Sequence, residues 1–180
     1  VMNVLDRFRL DGKVAGVTGG VRGLGWQIAV ALAQAGADVA VTSRDRSAAE
    51  RAAEQLREAT GRRCVGTSVD VTDPQQVEQM VGTVRDALGP VGILVNNAGI
   101  NIRSPITELT PQQWNQVIQT NLTGPFLCAR AVARDMLERG WGRIINLGSI
   151  LSTVGLAGRT AYASSKGGLL QLTRTLALEW

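Results

Sequence analysis

Short apolar runs, each too brief for a buried helix, recur along the chain, and a longer stretch with helical spacing follows nearly every one. Val14-Ala15-Gly16-Val17 is the first run, and a helix is expected over Gln27 to Ala35. Val39 to Thr42 and Cys64 to Val69 read as the next two strands, with the charged, alanine-rich helix Ser47 to Thr60 between them. Asp73-Pro74 supplies an N-cap and a proline at the first helical position, opening a helix that runs to about Leu88. Ile93-Leu94-Val95 is a fourth strand. Thr110-Pro111 repeats the cap-plus-proline start, and a long helix is expected from about Gln112 to Arg139, bent near Gly124-Pro125. Arg143 to Leu147 is a fifth strand, and a sixth helix begins at Ala161. Strands that are apolar throughout leave neither face to water. The pattern therefore predicts an α/β fold, a doubly wound parallel sheet (Rossmann-type) that binds its ligands beyond the carboxyl ends of the strands.

A chain of 180 residues, 44% apolar, suits a single domain over 1–180 with a proper core. Its 21 glycines imply loops that approach a ligand or a neighbouring backbone closely. Histidine is absent, which removes histidine-based triads and histidine metal sites, and no metal is expected. The net charge of +4 comes almost wholly from arginine, since Lys13 and Lys166 are the only lysines. No basic run or aromatic-interleaved stripe points to nucleic acid, so the charge reads as a mild preference for anionic ligands. Cys64 and Cys128 are expected to be reduced and buried rather than a disulfide or a metal pair. No segment matches a membrane span, and Val1 to Leu10 lacks a signal-peptide core, so a cytoplasmic protein is expected. Val1 ahead of Met2 reads as an offset start.

Between the first strand and the first helix lies Thr18-Gly19-Gly20-Val21-Arg22-Gly23-Leu24-Gly25. Glycines 19, 23 and 25 let the backbone reach a diphosphate, and a helix starting near Gly25 points free N–H groups and its positive dipole end at the anion. A tight strand-to-helix turn is the plainer reading, but the position in an alternating β/α pattern favours a dinucleotide. No Gly-Lys-Ser/Thr follows, which excludes a Walker-type loop. About twenty residues on, where an NAD enzyme places an acid for the ribose hydroxyl, stand Ser43 and Arg44. Arg44, with Arg22 from the turn, suits a 2′-phosphate, so NADP is expected over NAD; Asp45 argues the other way. Asp70, ending the third strand, reads either as an acceptor for the adenine amino group, with Val71 offering backbone, or as a loop cap. Asn97-Ala98-Gly99 closes the fourth strand with small residues that can pass beside the cofactor ribose.

Asn121, Ser149, Tyr162 and Lys166 are the candidate catalytic residues. Tyr162 and Lys166 lie four apart at the start of a helix, so they share a face one turn apart. A phenol titrating near pH ~10 works as an acid–base group only if its anion is favoured, and a nearby ammonium does that. Ser149 can donate to a substrate carbonyl oxygen, and Asn121 can hold a water that links Lys166 to solvent. Taken alone, each has a plain structural reading: a chance pair, a loop cap, a partner for buried backbone.

With these motifs in this order, T18-G-x-x-x-G23-x-G25, Asp70, N96-N-A-G99, Asn121, Ser149 and Y162-x-x-x-K166, the chain resembles the short-chain dehydrogenase/reductase family over essentially its whole length. The resemblance implies reversible hydride transfer between NADP(H) and an alcohol or carbonyl, with Tyr162 as acid/base and Ser149 polarising the carbonyl. It implies Lys166 on the nicotinamide ribose, lowering the tyrosine pKa, and Asn121 in a proton relay. It also implies a homo-oligomer, tetramer or dimer. Bacterial gluconate 5-dehydrogenases and 3-oxoacyl-carrier-protein reductases are the members it is most similar to, so a sugar acid or a 3-oxoacyl group is the expected substrate. Family members continue for roughly seventy residues past this point, so their C-terminal strands are expected to be missing and the edge after the fifth strand to be exposed. A truncated, catalytically inactive nucleotide-binding protein is the alternative. Ile100 to Ile106, Ile150 to Arg159 and Trp141 are expected to line the pocket, with Arg103 and Arg159 available to an acidic substrate.

Overall fold

The computed structural model describes residues 3–180; Val1 and Met2, and with them the offset-start reading, lie outside the described residues. Five strands form one sheet: β1 (Val14–Val17), β2 (Asp38–Ser43), β3 (Cys64–Ser68), β4 (Ile93–Asn96) and β5 (Arg143–Asn146). Every pairing is parallel and the order is β3-β2-β1-β4-β5. The order reverses direction at β1, so the crevice between the carboxyl ends of β1 and β4 is where a doubly wound sheet takes a ligand.

Helices α1 (Gly23–Gln34) and α2 (Arg46–Thr60) cover one face, burying Ala29, Ala33, Ala52, Ala53 and Leu56 against Val17, Val39 and Val41. The opposite face is covered by α3 (Pro74–Leu88) and α5 (Gly124–Glu138), whose Val77, Val81, Val84, Leu127 and Val132 surround Leu94. Small residues let α2 come close: a Cβ on Gly66 of β3 would lie 2.1 Å from the Ala49 carbonyl oxygen. Cys64 and Cys128 are free and buried, one in each face's core. No described helix is long and apolar enough to cross a membrane.

Two features depart from expectation by more than a residue at an end. The first helix begins at Gly23, four residues before Gln27, because the glycine turn itself winds into the helix. The long helix is interrupted: α4 (Pro111–Ile118) gives way to a π turn at Gln119–Thr123 before α5. The cause is local. Pro125 has no N–H, so the Asn121 carbonyl four residues earlier loses its α-helical donor and the ladder changes register there. A 3-10 turn at Ile150–Ser152 then leads to α6 (Thr160–Glu179).

β5 is the outermost strand on its side. Among the described residues it is also the only strand with two exposed positions, Arg143 and Ile145. Beside it a groove of about 550 Å³ runs between α5 and α6, lined by Met136, Leu137, Ile144, Leu176 and Trp180.

Candidate active site

The glycine turn and the segment after β4 are braced on each other. Thr18, at the end of β1, is 2% exposed; its hydroxyl donates to the Val95 carbonyl and accepts from the amides of Asn97 and Ala98. In return the Asn97 side-chain amide donates to the carbonyls of Thr18 and Gly19, at 2.9 and 3.0 Å. This closeness dictates the glycines. Gly19 has φ +62, and a Cβ on Gly25 would lie 2.4 Å from both Asn97 Nδ2 and the Gly19 carbonyl oxygen. Gly23, at φ +56, differs: a Cβ there would meet nothing, so the space beside it is open.

These features fit a dinucleotide. Arg22 at the N-cap is extended and makes no side-chain cap, so the first amides of α1 keep their donors for an anion. Leu24 stands 72% exposed at the mouth, whereas Val21 packs against the core. At the end of β2 the Ser43 hydroxyl accepts from the Asp45 amide, and Asp45 caps α2 by accepting from the Ala48 amide. Arg22 and Arg44 are exposed and make no ion pair among the described residues. Asp70 caps its own loop, accepting from the Thr72 amide and hydroxyl at 2.9 and 2.8 Å with one carboxylate oxygen, which leaves the other free. Val71 turns its side chain into the core against Gly124 and offers only backbone.

The four polar candidates come from three places: Asn121 from the π turn, Ser149 from the loop after β5, and Tyr162 and Lys166 from α6. Lys166 on α6 is buried, and its ammonium donates to the Leu147 carbonyl just past β5. Burial lowers its pKa from the ordinary lysine value. That bond holds the ammonium over Tyr162, 5.8 Å from the ring centroid. Ser149 caps the 3-10 turn, its oxygen accepting from the Leu151 amide, so its proton remains free to be donated elsewhere. Asn121 is fully buried in the π turn. Its oxygen accepts from the Ile100 amide, and its two N–H groups donate to the Ile100 carbonyl and the Ser165 hydroxyl. The side chain thus holds the segment after Gly99 against α6 and does not itself bond Lys166.

Two polar residues that spacing alone had not singled out complete the arrangement. Ser165, between Tyr162 and Lys166, donates to the Tyr162 carbonyl while receiving Asn121. Asn96, 3% exposed, donates to Asn146, which passes a bond on to Thr173 of α6. The one sequence signal for the first was a small polar residue on the face shared by Tyr162 and Lys166.

Trp141 does not line this site. It precedes β5 and therefore sits at the amino edge of the sheet, stacked between Lys13 at 3.9 Å and Arg143 at 5.2 Å from the ring centroid. It lies over Gly92, where a Cβ would come within 2.8 Å of the indole. Segments 100–106 and 150–159 do meet, through a bond from the Ser104 amide to the Gly158 carbonyl.

Comparison with known proteins gives a consistent result. A family model described as short chain dehydrogenase matches residues 13–180. A 3-oxoacyl-acyl-carrier-protein reductase of Vibrio cholerae is 39% identical over 170 residues, 94% of this chain and 68% of that protein. The 5-keto-D-gluconate 5-reductase of Escherichia coli is 38% identical over 174 residues, 97% of this chain and 68% of its own. Among solved structures, a gluconate 5-dehydrogenase from Burkholderia cenocepacia in complex with NADP and tartrate superposes with a TM-score of 0.95 at 38% identity. It covers 99% of this chain and 69% of that one.

Proposed function

Given that the chain belongs to the short-chain dehydrogenase family, NAD(P)-dependent oxidoreductases of secondary alcohols and carbonyls, we propose that it uses NADP, with Tyr162 as the acid/base and Ser149, Lys166 and Asn121 in support. The NADP preference rests on Arg22 and Arg44, which have no ionic partners, and on Asp45, whose carboxylate is spent capping α2. The NADP in the Burkholderia relative points the same way. Gly19, Gly23 and Gly25 bring the backbone to the diphosphate, with Val21, Arg22 and Leu24 around it. Ser43 and Arg44 take the adenosine ribose end, Asp70 and Val71 the adenine, and Asn97, Ala98 and Gly99 the nicotinamide ribose side.

The bound nicotinamide supplies or removes the hydride; the chain manages the proton. Ser149 donates its free O–H to the carbonyl oxygen. Tyr162 delivers its phenolic proton to that same oxygen as charge builds on it. Lys166, held by the Leu147 carbonyl, stabilises the phenolate left behind and would hold the nicotinamide ribose with its remaining N–H groups. The Asn121 carbonyl, deprived of its helical donor by Pro125, is the acceptor for a water that returns the proton from solvent. A sugar acid or a 3-oxoacyl group is the substrate, and a cytoplasmic homo-oligomer, dimer or tetramer, is the working form.

The observation that carries the reading is the ammonium held over the Tyr162 ring and tied to the Leu147 carbonyl just past the carboxyl end of β5. Tyr162→Phe should lower kcat by roughly 10²–10⁴-fold while NADPH still binds, measured by nucleotide fluorescence titration and ketone-dependent NADPH oxidation. Undiminished turnover in that variant sinks the assignment. A wild-type chain that binds NADPH but reduces no ketone supports the inactive nucleotide-binding alternative instead.

A further inference from the structure

The cofactor and reaction chemistry leave one feature unexplained. Segments 12–37, 87–107 and 139–178 contain not one of the chain's 15 carboxylate residues. These segments supply the glycine turn, the loop after β4, the Ser149 loop and the helix of Tyr162 and Lys166, which is to say nearly every wall around the reacting end of the site. Of the acids near the carboxyl edge, Asp45 and Asp70 lie on the β2–β3 side and are occupied as caps. Glu108 stands at the far end of its loop, just before α4. The segments around the reacting end therefore carry Arg103, Arg159 and Lys166 and no acid, and a 2′-phosphate at the other end of the cofactor does not offset that charge.

Two of those cations are brought together by the backbone. The Ser104 amide donates to the Gly158 carbonyl at 3.1 Å, with Gly158 held at φ +71. Arg103 and Arg159 are the immediate neighbours of the bonded pair, one on each strand of the loop crossing. Arg159 is also the N-cap of α6, three residues before Tyr162. Neither guanidinium has a hydrogen bond or ion pair among the described residues. Two uncommitted guanidinium forks beside one crossing, in a neighbourhood without acids, match a single carboxylate, which takes arginine in bidentate fashion.

Resting on the catalytic reading above, we infer that the substrate is a small hydroxy or oxo acid whose carboxylate is seated by Arg103 and Arg159 across from Ser149 and Tyr162. A 3-oxoacyl thioester presents no carboxylate there and would leave both arginines idle.

Equilibrium binding tests the seat without requiring turnover. Tartrate and its dimethyl ester are titrated calorimetrically into the enzyme–NADP complex. Tartrate should bind at least about 10-fold more tightly than the ester, the usual weight of a charge-assisted hydrogen bond. Arg103→Gln and Arg159→Gln should each weaken tartrate by about 10-fold or more and leave NADPH affinity unchanged. Arg143→Gln, an equal loss of charge at the opposite edge of the sheet, should change nothing. Equal binding of acid and ester overturns the inference, and so does an Arg143→Gln effect as large as the other two, which would mean only a diffuse field. In parallel, NADPH oxidation by 5-keto-D-gluconate is compared with that by the neutral ketohexose of the same carbon skeleton. If tartrate is seated as expected but no ketone is turned over, the catalytic reading fails and the carboxylate seat stands.

Discussion

At the scale of single residues, the cradle depends on the absence of one methyl group. Gly25→Ala places a Cβ where Asn97 Nδ2 and the Gly19 carbonyl now sit, so the turn must open and the Asn97 bonds must break. The variant should lose about 1–3 kcal/mol of stability in urea titrations and at least 10-fold in NADPH affinity. Asp45 gives the complementary case. As a helix cap, its replacement by alanine should cost about 1 kcal/mol in the same assay and leave the NADPH-over-NADH preference intact. A shift of preference toward NADPH in Asp45→Ala would mean that the carboxylate competes for the ribose after all. The glycines, Tyr162 and Lys166 were legible from spacing because their roles are local. The bonds by which Thr18, Asn97 and Ser165 brace the site were not, since the partners lie up to 80 residues away and only the folded sheet brings them together. Trp141 was misplaced for a different reason: an aromatic next to a strand was counted toward the pocket, although a residue preceding a parallel strand must sit at its amino end.

At the scale of elements, the alternation of strands and helices was readable throughout, because apolar runs of four to six residues and cap-plus-proline starts are short-range signals. The π turn was visible only as a bend at Gly124-Pro125; its register shift depends on which carbonyl loses its donor. Packing of α2 on β3 sets a stricter limit than any helix signal. Gly66→Ala would drive a methyl group into the backbone of Ala49 and Glu50, which cannot swing aside as a side chain can. A loss of about 3 kcal/mol or more is expected, seen as a lower urea midpoint, with NADPH binding reduced only in proportion to the unfolded fraction. An unchanged midpoint would show that the helix slides outward at little cost.

At the scale of the whole molecule, two cores pressed on one sheet make alkaline stability sensitive to a single thiol. Burial pushes the Cys128 thiol from 9.0 up to about 12. A group raised on folding contributes stability that is complete below its unfolded value and lost as pH climbs to the folded one, here between about 9 and 12. Urea midpoints of the wild type should therefore fall between pH 8 and about pH 10.5, and Cys128→Ala should show a shallower fall from a lower starting point. Parallel curves for the two proteins would count against it.

The place of β1 in the sheet has a further consequence. Of these five strands it is synthesised first, and it ends in the middle, between β2 and β4. Half its ladder must wait until residue 95 has been synthesised, and the bonds from Thr18 to Asn97 and Ala98 form later still. A nascent chain halted short of that length holds a one-sided sheet with a bare seam, a natural target for a chaperone. The nucleotide cradle and the middle of the sheet are thus completed in one step of synthesis, and added NADP could not rescue a chain stalled before it.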